Sequence, residues 1–106
     1  MPSYTLVVMT NAKDGRDDEF NDWYSNRHIQ DVLAIDGFVS AKRFRLADTQ
    51  RGTTPSPYKY LALYQIETSN LAGTLAELGA RSGTEKAPIS DAMDQQRFAY
   101  VYEVIK

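Results

Sequence analysis

The stretch Phe20–Phe44, FNDWYSNRHIQDVLAIDGFVSAKRF, constrains the fold more than any other part of the chain. It joins an aromatic-rich helix to a strand through one Asp-Gly turn, so the two elements must pack close together. Asp17, Asp18 and Glu19 come just before it, and a helix start favours negative charge there. The spacing predicts a helix running from Asp17 to Ile35 and stopped by Gly37. At about 100° per residue, Phe20, Tyr24, His28, Asp31 and Ile35 fall on one side of it. A helix that only closed a core would not set an imidazole and a carboxylate on that side. His28 is also the single histidine of the chain.

The rest of the chain supplies strands around this helix. Tyr4–Met9 is a β-rich run ending in the polar turn Asn11–Gly15. Phe38–Leu46 alternates in part, with Phe38, Ser40, Lys42, Phe44 and Leu46 expected on one face. Residues 47–57 read as an exposed loop by composition. Tyr58–Glu67 alternates most clearly, with Tyr58, Tyr60, Ala62, Tyr64 and Ile66 on one side. Ser69 is the expected cap of a second helix carrying Leu71, Leu75 and Leu78. Residues 87–96 are irregular, and Phe98–Ile105 closes the chain as a strand with Phe98, Tyr100 and Tyr102 on one face.

The order β-α-β-β-α-β predicts a single α+β domain over residues 1–106, with the ferredoxin-like plan of a four-stranded antiparallel sheet. Helices then cover one sheet face only. Both strand faces carry apolar or aromatic side chains, so the uncovered face is expected to pack against a second copy in a homodimer.

Composition excludes several functions. A net charge of −2 offers no basic footprint for nucleic acid. No apolar run nears the roughly 18 residues of a membrane span, and residues 1–10 lack the features of a secretory leader. The absence of cysteine removes disulfides and thiolate chemistry and fits a cytoplasmic protein. One histidine cannot build a multi-histidine metal centre within a chain, and no metal site is expected. Phosphate loops, the G-x-S-x-G elbow and paired carboxylates at metal spacing are missing from the sequence, which argues against nucleotide-dependent, serine-hydrolase and metallo-hydrolase chemistry; no cofactor is expected.

The remaining candidates gather around His28. Its ordinary pKa suits proton transfer, and a partly buried structural histidine is the competing reading. Asp31, three residues on, is placed to orient the imidazole; it also stands four residues from Arg27 as an ion-pair partner. Phe20, Trp23 and Tyr24 fit either the wall of a substrate pocket or plain core. Arg43 fits a carboxylate or enolate of a substrate, or a solvated sheet edge. Tyr60 and Tyr64 can polarise a substrate oxygen, and the seven tyrosines, Tyr100 among them, suit a phenolic ligand wall and a dimer interface equally.

The motif F-x-x-W-Y-x-x-x-H, followed by D-G-F and a strand with K-R-F, resembles the dimeric α+β barrel superfamily and, within it, the EthD-like group. The resemblance implies a small enzyme acting on aromatic, lactone or polyketide-like compounds, similar to methylmuconolactone methylisomerase-type proteins. It puts His28 at the position of the helix histidine implicated in that chemistry. The cysteine associated with the same chemistry has no counterpart here. The expected function is cofactor-independent proton transfer, an isomerisation or cyclisation, with His28, Asp31 and Tyr60 catalytic. Phe20, Trp23, Tyr24, Arg43, Tyr64 and Tyr100 would hold the substrate. The alternatives are a non-catalytic binding or accessory protein of aromatic degradation or stress response, and a haem- or quinol-type monooxygenase on the same fold.

Overall fold

The computed structural model describes residues 1–105. Its elements are β1 (Ser3–Thr10), α1 (Asp17–Trp23), a π-helical turn (Tyr24–His28), α2 (Ile29–Leu33), β2 (Phe38–Arg45), β3 (Tyr60–Glu67), α3 (Leu71–Arg81) and β4 (Phe98–Glu103). The strands form one antiparallel sheet in the order β2-β3-β1-β4. This is the ferredoxin-like α+β arrangement that the element order predicts.

Register assigns each strand face. On β3, Tyr60, Ala62, Tyr64 and Ile66 are all buried beneath the helices. Their β1 partners Thr10, Val8, Leu6 and Tyr4 share that side, as do Ala99 and Val101 of β4. The opposite face carries Phe98, Tyr100 and Tyr102 beside Met9, Val7 and Thr5. Among the described residues, no element covers it.

Strand β2 departs from simple alternation. Phe38 pairs with Ile66 and Ser40 with Gln65, so Val39 is an extra residue in a bulge. The bulge reverses the faces beyond it. Phe38 enters the core, but Ala41 and Arg43, not Ser40 and Lys42, follow it onto the helix side. The sequence expectation of one continuous face from Phe38 to Leu46 is corrected on this point.

Gly37 ends the first helical segment with φ +99°, and its carbonyl accepts the Glu67 N–H at 2.8 Å. The positive φ favours glycine, and a Cβ there would sit a tight 3.1 Å from the Thr74 side chain. Asn70, not Ser69, caps α3: its side-chain oxygen accepts the Gly73 N–H at 3.0 Å.

The segment after α3 has no regular structure, yet it is tied down. The Lys13 N–H donates to the Ala92 carbonyl, Asp94 N–H donates to Asn11, and Arg16 reaches both the carbonyl and the carboxylate of Asp91. Ala87 and Ala92 are fully buried. The segment therefore straps across the first helix and closes one side of the fold.

Candidate functional site

The first helix changes its winding where its polar residues lie. The Ile29 N–H donates to the Tyr24 carbonyl, five residues back, which defines the π-turn. In an ideal α-helix, residues four apart drift by about 40° around the axis. The wider turn absorbs that drift, so Phe20, Tyr24, His28 and Val32 follow one strip facing the sheet. Such π-turns are frequent at functional sites because they aim side chains that a regular helix would carry away.

Beside this strip lies a cavity of about 610 Å³. Tyr24, His28 and Val32 form one wall, Leu6, Val8 and Tyr64 the floor, and Leu75 and Leu78 of α3 the far side. Ile89, Met93 and Arg97 complete it from the strapping segment and the approach to β4. Its size and apolar walls match those of ordinary small-molecule pockets. Among the described residues that line it, none is a carboxylate.

His28 is held by aromatic packing. Its ring stacks on Trp23 at 4.7 Å between centroids and meets the Tyr24 ring edge-on at 4.8 Å. Its Nδ1 is fully buried and, among the described residues, has no hydrogen-bond partner. Burial pushes its pKa down from 6.5 to about 4; the Asp31 carboxylate opposes this and the Arg43 cation adds to it. The imidazole is therefore neutral at pH 7.

Tyr24 and Tyr64 meet above the sheet, the Tyr64 hydroxyl donating to that of Tyr24 at 3.1 Å. Both side chains are buried, and burial raises both phenol pKa values, so both keep their protons. Arg43, brought to this side by the β2 bulge, lies 4.4 Å above the Tyr24 ring centre. Its guanidinium donates to Asn21 and Ser25, both at 2.9 Å.

The sequence candidates thus divide. His28, Tyr24 and Tyr64 come together at the cavity. Asp31 does not hydrogen-bond His28; it accepts from Arg27 at 2.7 Å, the ion pair that its spacing also allowed. Tyr60 turns away from the cavity. Its hydroxyl donates to Asp17 at 2.6 Å and accepts from Asn21, in a chain that continues to Lys59. Phe20 is entirely buried core. Trp23 backs His28, and its indole N–H donates to the Pro88 carbonyl at 3.1 Å. Arg43 braces the helix against the sheet. Tyr100 lies on the opposite sheet face, 60% exposed, so the tyrosines do not form one wall.

Reading the sequence missed the far side of the cavity. Leu75 and Leu78 look like any core stripe, and Ile89 and Met93 sit in a segment with no periodicity to give them a side. The exposed 47–57 loop contributes nothing to the lining. Among the described residues, no cluster of three His, Cys, Asp or Glu side chains is placed to hold a metal, and no helix is long and apolar enough to cross a membrane.

Solved structures share this architecture. An EthD-like protein from Ralstonia eutropha superposes with a TM-score of 0.70 at 15% identity, over 100% of this chain and 95% of its own. An ethyl tert-butyl ether D (EthD) family protein from Bacillus halodurans gives a TM-score of 0.64 at 14% identity, covering 99% and 100%. The haem-degrader MhuD from Mycobacterium tuberculosis, solved with two haems in its active site, gives 0.64 at 13% identity, covering 97% and 96%. At these identities the likeness is one of fold. No curated protein matches the chain significantly. The family model DUF4286, a domain of unknown function, matches residues 3–75, and the chain belongs to that family.

Proposed function

We propose that this protein takes an aromatic, lactone or polyketide-like molecule into the cavity beside His28 and promotes a proton-transfer isomerisation or cyclisation there without a cofactor. The observation that carries this reading is the gathering of Tyr24, His28 and Tyr64 at one side of an otherwise largely apolar cavity. Protonated phenols can hydrogen-bond a carbonyl oxygen of the ligand. That bond strengthens as the oxygen gains charge, which eases transfer of a proton from the neighbouring carbon to a water molecule admitted with the ligand, and the same water returns a proton to the new carbon position. Enolisation of this kind is the step common to isomerisation and to aldol-type cyclisation. The neutral imidazole serves this chemistry without bringing a charge of its own into the cavity.

The open sheet face supports a homodimer, because among the described residues no element covers Phe98, Tyr100 and Tyr102. A second reading, a binding or accessory protein that performs no reaction, is favoured by one feature. Among the described residues no group can relay a proton through Nδ1 of His28.

A panel of enolisable lactones and aryl ketones separates the readings. Emission of the single tryptophan, stacked on His28, reports binding, and solvent deuterium uptake at the acidic carbon reports proton transfer. The catalytic reading expects both, with Tyr24→Phe lowering exchange roughly tenfold or more. Binding without exchange supports the accessory reading. Absence of binding across the panel defeats the assignment of the cavity.

A further inference from the structure

We infer that Tyr24 and His28 form a pair of hydrogen-bond donors for one ligand oxygen, so that the cavity selects molecules presenting a carbonyl, enolate or phenolate at their inner end. The inference rests on the cavity being the ligand site and goes beyond it in naming what the ligand must carry.

The phenol protons can be followed one by one. Tyr24 and Tyr64 hold one hydroxyl proton each, and the 3.1 Å bond between them uses one, donated by Tyr64. Among the described residues, no other side chain or carbonyl accepts the proton of Tyr24. It is a buried donor left for whatever occupies the cavity.

The imidazole has a similar surplus. Neighbours that might satisfy Nδ1 are engaged elsewhere: the Trp23 indole N–H bonds Pro88, Arg43 bonds Asn21 and Ser25, and Asp31 bonds Arg27. A proton on Nδ1 would be an orphaned N–H, which folded proteins avoid more strictly than an under-used acceptor. The neutral ring therefore carries its proton on Nε2. With Nδ1 sealed in protein, Nε2 is the nitrogen left to the cavity that His28 lines.

Tyr24 and His28 stand at the two ends of the π-turn with their rings in contact. Both donors belong to side chains that line the cavity, and no carboxylate in the lining answers them. A carbonyl oxygen, with two lone pairs, satisfies both at once. A hydrocarbon of the same shape leaves both bare.

Two measurements test this. Long-range proton–nitrogen correlation at pH 7 on the free, nitrogen-15-labelled protein should give the Nε2–H pattern for His28; the Nδ1–H pattern overturns the pair. Binding of 1-indanone and indane, which share one ring body, supplies the second test. The wild type should prefer 1-indanone by roughly 5- to 20-fold. Tyr24→Phe and His28→Leu should each remove most of that preference while indane binding holds, and His28→Gln, whose amide restores a donor, should recover part of it. Amide spectra establish that each variant is folded. If ketone and hydrocarbon bind alike, the pair is overturned and the cavity assignment stands. If neither binds, the cavity assignment falls and takes the pair with it.

Discussion

The two faces of the sheet use the same residue type in opposite ways. On the helix side, Tyr24 and Tyr64 are 2% and 1% exposed, and each hydroxyl has a partner. On the other side, Tyr100 and Tyr102 are 60% and 54% exposed, and among the described residues no element packs over them. A buried phenol must find a hydrogen bond, so its neighbours become determined and its proton can be given a task. An exposed phenol on an apolar face asks only for area to be covered. Tyrosine count therefore says little here, whereas the face on which each tyrosine lies says a good deal about what it can do.

The sharpest way to break this comparison is to truncate an aromatic ring on each face. Phe20 is fully buried, with Tyr24 and Tyr60 rings at 5.6 and 5.2 Å. Phe20→Ala should cost about 3–5 kcal/mol in urea unfolding, through lost burial and the cavity left behind. Tyr100→Ala should change the stability of the dilute chain by no more than about 0.5 kcal/mol. Concentration should separate them further. If two copies pack through the open face, Tyr100→Ala weakens the rise of Tm with protein concentration, and Phe20→Ala leaves that dependence in place. Equal effects in the dilute chain would mean that the open face contributes to the fold of one chain, and the comparison would fail.

A second effect, of about 3 kcal/mol, belongs to the helix side alone. His28 has a folded-state pKa of about 4 against its ordinary 6.5. As pH falls, the unfolded chain takes up this proton first. Stability is therefore full above about pH 6.5, declines down to about pH 4, and gains no further loss from this group below that. Urea unfolding of the wild type and of His28→Gln across this range should show the slope in the first and its absence in the second. Because the ring stacks on Trp23, and a charged imidazole quenches indole emission, fluorescence should report the same midpoint. A midpoint near 6.5 would mean that the ring is solvated and the helix side is less closed than its packing indicates.

Much of this was readable from residue order. The alternation Tyr60, Ala62, Tyr64, Ile66 identified the core face of β3, and the inward setting of His28 followed from its spacing to Phe20 and Tyr24. Three features were not readable, each because it depends on a residue's surroundings. The bulge at Val39 exchanges Lys42 for Arg43 under the helix, yet Val39 has nothing in its own chemistry to announce a bulge. The π-turn needs no special residue and is visible only in the Ile29 to Tyr24 bond. Part of the cavity lining comes from residues 82–97, whose position is dictated by long-range bonds such as Lys13 to Ala92. A site assembled across the chain in this way cannot be completed from one helix, however suggestive its face.

The smallest predicted effect concerns Asp31, and it bears on how closed the helix side is. Spacing offered Asp31 both His28 and Arg27; the structure places it on Arg27, whose side chain is half exposed. An exposed i,i+4 pair is worth about 0.3–0.5 kcal/mol, so Asp31→Asn should cost no more than that. It should also move the His28 midpoint slightly down, since the carboxylate raises that pKa through space without bonding the ring. The tautomer should be unchanged, because nothing that sets it involves Asp31. A collapse of the Nε2–H signature in Asp31→Asn would show that the carboxylate orients the imidazole after all. His28 would then be a base held by its acid partner, in place of a donor held by the aromatic rings around it.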